Sequence, residues 1–123
     1  MRNRRIVASI MAVAMMMAAC GGSGGGDDTP AAEPVDVDAL ALSGEAEAGL
    51  ATYRAKCASC HGADLSGRTG PALGPGSKAA GKPSADLRAK IVNGGEGMPS
   101  WGGLLDDAEI DGLVAFLLAA QGR

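Results

Sequence analysis

The stretch His61–Pro83, "HGADLSGRTGPALGPGSKAAGKP", is rich in glycine and proline, runs for more than 20 residues and carries neither a helical nor an alternating apolar pattern. A structureless loop of that length inside a compact domain is uncommon unless it is functional. The 123-residue chain also has only three aromatic residues, Tyr53, Trp101 and Phe116. A small domain with so little bulky apolar mass struggles to bury an adequate core by itself. Both features have one physical remedy, a large apolar cofactor that fills the core and has the loop wrapped around it.

The flanking segments are helical. Ser43 is placed as the N-cap of a first helix, with Glu45 and Glu47 in the turn where the helix dipole favours negative charge. This helix continues through Tyr53 towards Cys57. In "SADLRAKIVNGG", Ser84 caps a second helix, Leu87 and Ile91 share a face, and Gly94 is placed to end it. The third is the clearest: Asp106 and Glu109 form a capping-box pattern, and Ile110, Leu113, Val114 and Leu117 follow i, i+3, i+4, i+7 spacing. Gly112 within it costs about 1 kcal/mol relative to alanine. No strand pattern occurs, so the expected class is all-α, with three main helices in a domain spanning 43–123.

The region before this domain has a different character. Arg2, Arg4 and Arg5 precede an apolar run from Ile6 to Ala19, too short to span a bilayer and laid out as a secretory signal peptide over 1–19. Met17-Ala18-Ala19-Cys20 resembles the lipobox of bacterial lipoproteins, which implies lipidation of Cys20 and a membrane anchor. Ordinary cleavage, with Cys20 left as a free thiol, is the alternative. Residues 20–42, "CGGSGGGDDTPAAEPVDVDALAL", read as a flexible linker with too few large apolar residues for a core. All 14 acidic residues follow Cys20 and three of the 11 basic ones precede it, so the mature chain carries 8 − 14 = −6. That balance gives no concentrated basic surface for nucleic acid.

The chemistry centres on Cys57-Ala58-Ser59-Cys60-His61. A thioredoxin-type dithiol belongs at a helix start within a βαβ pattern, and here the pair follows a helix in a chain without strands. A structural zinc site wants four ligands, yet with Cys20 set aside there are two cysteines and one histidine. Cys-x-x-Cys-His is also the attachment sequence of c-type haem, two thioethers leaving the adjoining imidazole beneath the iron. A sixth ligand is available in one place. Five of the six methionines fall within residues 1–17, leaving Met98 in the turn-rich "NGGEGMPSW", where Pro99 restricts the backbone and Trp101 offers an apolar wall.

Four motifs in order then resemble one family, the small monohaem class I c-type cytochromes. They are Gly49-x-x-x-Tyr53-x-x-x-Cys57-x-x-Cys60-His61, Gly70-Pro71-x-Leu73, Asn93-Gly94-x-x-x-Met98-Pro99-x-Trp101, and Leu113-Val114-Ala115-Phe116-Leu117. The resemblance covers 43–123 and implies one covalent haem c per chain. Its implied cofactor-binding set is Cys57, Cys60, His61, Pro71, Leu73, Met98 and Trp101, with His61 and Met98 on the iron. It further implies that the first and last helices cross, with Gly49 allowing close approach and Tyr53 near Leu113 and Phe116. The Pro71 carbonyl is expected to accept from His61 Nδ1, and Arg68 either approaches a haem propionate or is solvated.

An iron with both axial positions filled leaves little room for substrate. The expected function is one-electron transfer in the bacterial cell envelope, periplasmic and membrane-anchored, by a monomer and without enzymatic activity. The expected partners are redox proteins, either membrane respiratory complexes or dehydrogenases. A peroxidase or sensor with a displaceable Met98, a fixed subunit of a larger complex, and a haem-free metal-binding or structural module are the alternatives. Residues 54–90 carry a local charge of +5 and 91–123 a local −4, a polarity that either steers encounter or marks two solvated faces.

Overall fold

The computed structural model describes residues 32–123. The expected signal peptide, Cys20 and the first part of the expected linker lie outside the described residues. Four helices occur among the described residues: α1 (Glu45–Lys56), α2 (Ala58–His61), α3 (Ser84–Asn93) and α4 (Asp107–Ala120). They include no strand; an isolated bridge joins Gly95 to Met98. No helix among them is long and apolar enough to cross a membrane.

The core is built on α4, which buries Ile110, Leu113, Val114, Phe116, Leu117 and Ala120. Its start is fixed as its sequence predicts. The Glu109 amide donates to Asp106 Oδ1 at 2.8 Å, and the Asp106 amide donates to Glu109 Oε2 at 3.0 Å. Helix α1 buries only Gly49 and Tyr53. Its polar sequence gives it little reason to be helical alone, and its crossing with α4 holds it in place. A Cβ at Gly49 would lie 1.8 Å from the Gly112 carbonyl oxygen. Gly112, read above only as a helix-weakening residue, is thus the other half of the crossing. Past this contact the Tyr53 and Phe116 rings meet at 5.2 Å between centroids, tilted by 50°, a geometry favourable to aromatic pairs.

Three expectations need correction. The residue before α1 is Gly44, with no side-chain cap from Ser43 or any other residue, so the acidic first turn is what compensates the helix start. Ser84 is the first helical residue rather than the cap: Pro83 precedes α3 in extended conformation, and its carbonyl accepts from the Asp86 and Leu87 amides. The third concerns the linker. Residues 33–38 form a strap on the domain: Val37 is buried in the core, Val35 packs against it, and the Val35 amide donates to the Asp64 carbonyl at 2.8 Å. Alternating valines amid acidic residues were enough to dock what composition alone assigned to linker.

Charge also interleaves more than the sequence halves suggest. Arg88 bonds both Asp107 and Asp111, Lys90 bonds Glu96, and Arg54 bonds Asp38. Two of these three cations pair with acids from 91–123. The pairs are exposed and each contributes little to stability, but they reduce the separation of charge between 54–90 and 91–123.

Candidate haem site

Cys57 caps a short helical turn, α2, that carries Ala58 to His61. Both Cys57 and Cys60 are free thiols in this arrangement, one half-buried and one exposed. Burial, and then the neighbouring Cys60, push the Cys57 thiol up to about 11. Hydrogen bonds from Thr69 and Ser59 draw Cys60 downward. The two sulfurs therefore differ in reactivity before any attachment, the outer one being the readier thiolate.

His61 is buried and its ring is fixed from two directions. Nδ1 donates to the Pro71 carbonyl at 2.8 Å, as the family resemblance implied. A Cβ at Gly70 would stand 2.9 Å from His61 Cε1 and 3.0 Å from Nδ1, so any side chain there would displace the imidazole. With Nδ1 engaged, Nε2 is the nitrogen left for a ligand. This donor set fits a covalently held haem: two unpaired thiols at the attachment spacing, followed directly by an oriented imidazole.

The long loop is ordered by its own backbone. Gly67 N donates to His61 O, Gly70 N to Cys60 O and Leu73 N to Leu65 O, at 2.8, 2.8 and 2.9 Å. Leu65 is fully buried at its centre and escaped sequence reasoning; the one large apolar residue between two glycine-rich turns was the available signal. Tyr53 also reaches this region, its hydroxyl donating to the Gly62 carbonyl at 2.7 Å. Burial, then nearby Cys57 and Asp64, raise the phenol well above its usual range, so it stays a donor.

Removing that hydroxyl by Tyr53→Phe keeps the ring packing and leaves the Gly62 carbonyl with only the longer 3.3 Å bond from the Leu65 amide, a loss of about 0.5–1.5 kcal/mol. The expected result is a melting temperature lower by roughly 4–8 °C per kcal/mol, with the visible spectrum of the holoprotein retained. Circular dichroism melts with absorption spectra of the same samples check it.

Met98 is presented by an unusual turn. Gly94, Gly95, Glu96 and Gly97 all have positive φ, at 66°, 102°, 55° and 88°. Gly95 and Met98 exchange two backbone hydrogen bonds of 2.9 and 3.1 Å across it. Lys90 Nζ donates to Glu96 Oε2 at 2.8 Å and to the Gly95 carbonyl at 3.2 Å, tying the turn to α3. Cys57, Leu73, Met98 and Trp101 are all partly buried and packed against the one core cluster. Pro71 is exposed and enters the site through its carbonyl alone. Arg68 is exposed, its amide donating to Gly70 O.

Residues 44–117 match the family model described as cytochrome c oxidase, cbb3-type, subunit III. The chain belongs to this cytochrome c family. Covalent haem c is the family's cofactor, and Cys57 and Cys60 stand at its attachment spacing. The chain is 46% identical over 87 residues to dihydro-heme d1 dehydrogenase of Pseudomonas aeruginosa, a match covering 69% of this chain and 17% of that protein. It is 45% identical over 64 residues to cytochrome c55X of Stutzerimonas stutzeri, covering 50% of this chain and 56% of the relative. The chain thus spans about half of one relative and a small part of the other. Among solved structures, the c-type cytochrome NirC is similar with a TM-score of 0.50 and 38% identity, over 63% of this chain and 93% of that one. The all-α architecture is the small cytochrome c fold.

Proposed function

We propose that this protein is a class I monohaem electron carrier whose iron is held between His61 and Met98. The observation that carries the reading is the fixed imidazole: His61 is buried, its Nδ1 is tied to Pro71 and its ring lies against Gly70. Such a ring leaves Nε2 aimed without rotational freedom, suited to a ligand that stays bound through repeated turnover. Met98 is the one methionine of the chain outside residues 1–17, and its hydrogen-bonded turn and its place against the same core cluster as Cys57, Leu73 and Trp101 support it as the second ligand.

Haem c, when bound, supplies reversible one-electron chemistry between Fe(II) and Fe(III). The chain's own residues do the rest. Cys57 and Cys60 would hold the macrocycle covalently, and the Pro71 carbonyl, accepting from Nδ1, raises the basicity of His61. Leu73 and Trp101 exclude water, and the soft Met98 thioether favours the ferrous state. No catalytic residue is assigned, and the protein acts as a monomer without enzymatic activity of its own. The basic n-region, apolar run and Cys20 support export to the periplasm and lipid anchoring to a membrane of the bacterial envelope.

The partners are redox proteins of that compartment, respiratory complexes or dehydrogenases. A second reading, a cytochrome serving as a fixed subunit of a dehydrogenase, is favoured by one observation: the relative named a dehydrogenase contains a stretch like this one within a much longer chain.

Redox titration of the holoprotein followed by absorption is expected to give one wave with a single-electron slope and a low-spin ferric form. High-spin ferric iron at neutral pH with rapid cyanide binding would replace the carrier by a sensor or peroxidase.

A further inference from the structure

We infer that the strap before α1 and the residues after α4 form a two-part clasp on the loop that aims His61, with Val35 and Gln121 as positioning residues for the imidazole. The inference rests on His61 being an iron ligand, as proposed above.

The orienting group is a backbone carbonyl, Pro71 O, in a stretch with no helix or strand to hold it. Two residues further on, Leu73 and Gly74 are held by two separate segments from outside the loop. In the first, a Cβ at Gly74 would lie 3.1 Å from Val35 Cγ2 and 3.5 Å from the Glu33 carbonyl, so the strap rests directly on that backbone. The same strap bonds the loop again where the Val35 amide meets the Asp64 carbonyl at 2.8 Å. In the second, Gln121 Nε2 donates to the Leu73 carbonyl at 2.8 Å. Arg123 Nη1 continues along the loop, donating to the Ala80 and Lys82 carbonyls at 2.7 and 2.9 Å.

None of these contacts belongs to the α1–α4 crossing. Two of them, the strap against Gly74 and Gln121 on the Leu73 carbonyl, converge on one dipeptide, and Leu73 N closes the loop internally onto Leu65 O at 2.9 Å. A ligand ring is held to useful precision only when its supporting groups are themselves locked. Here the lock comes from two segments about 86 positions apart in sequence (121 − 35 = 86) that meet on the loop. Loosening either should lengthen the bond from His61 Nδ1 to Pro71, make the imidazole a less basic ligand and so raise the reduction potential.

The experiment compares full-length holoprotein with Gln121→Glu, Val35→Ala and the donor-restoring Gln121→Lys. Amide hydrogen exchange by NMR is read at Gly67, Gly70 and Leu73, with Tyr53 and Leu113 as references in α1 and α4. In Gln121→Glu and Val35→Ala the loop amides are expected to exchange at least tenfold faster while the references change less than twofold, and the potential should rise in both. Gln121→Lys should recover protection and potential. Unchanged loop exchange, equal acceleration at the references, or an unmoved potential would each overturn the clasp. The visible spectrum reports His61 ligation separately, so loss of that reading is distinguishable from loss of this one.

Discussion

Substituting Gly49 by valine is expected to destabilise the domain severely, up to loss of the folded state. Even the first carbon of the new side chain would stand 1.8 Å from the Gly112 carbonyl oxygen and 2.8 Å from the Leu113 amide nitrogen. Both obstacles are backbone, so no side chain can swing aside, and the two helices must separate. Separation breaks up the Tyr53–Phe116 pair and exposes the stripe of α4. The loss should exceed about 3 kcal/mol, the scale of overpacking a tight core, against a total stability of roughly 5–15 kcal/mol. That corresponds to a melting temperature lower by more than about 12 °C, or to no recoverable holoprotein. Gly103→Ala is the matched control, since a Cβ there meets nothing within 4 Å. Its melt should lie within about 0.5 kcal/mol of the parent. Equal stability of the two variants would refute the close approach.

Met98→Ala should produce the largest functional change. If Met98 is the sixth ligand, the variant loses the absorption band that arises from methionine-to-iron charge transfer. Its ferric iron becomes open to water and cyanide, and its potential falls. Axial ligands set haem potentials over about 0.8 V, and a drop on the order of a few hundred mV is expected. The direction follows from removing a neutral, soft donor that favours Fe(II). Spectroelectrochemistry on parent and variant, both matured with haem-attachment machinery, decides the matter. An identical spectrum in the variant would remove Met98 from the iron.

The parts of this domain legible in the sequence are those whose signal is local. The Asp106–Glu109 box and the stripe on α4 declare themselves within a dozen residues, because capping and helical periodicity are short-range. Cys57, Cys60 and His61 are legible for the same reason, as covalent attachment demands fixed spacing. What stayed hidden depends on distant partners. Gly112 looked like a weak point until Gly49 lay against it. Val35 and Val37 looked like tether because nothing nearby in sequence shows the surface that receives them. Gln121 and Arg123 bond main-chain carbonyls of the loop, and a carbonyl acceptor leaves no trace in residue identity. The caps assigned to Ser43 and Ser84 failed on geometry: a serine can cap only if its backbone is extended just before the first turn, and sequence does not fix that register.

The turn in front of Met98 also limits how this sequence can vary. Four consecutive residues occupy a backbone region that side chains with a Cβ rarely adopt, and one of them, Glu96, already does so without being glycine. A Cβ at Gly94 would in addition lie 2.5 Å from the Met98 carbonyl. Single substitutions at Gly94, Gly95 or Gly97 therefore strain the backbone beside Met98, while Glu96 is the position where asparagine or glycine would relieve strain. Variation that retunes this protein has few routes through the turn itself, and most of its freedom lies in the surrounding apolar wall.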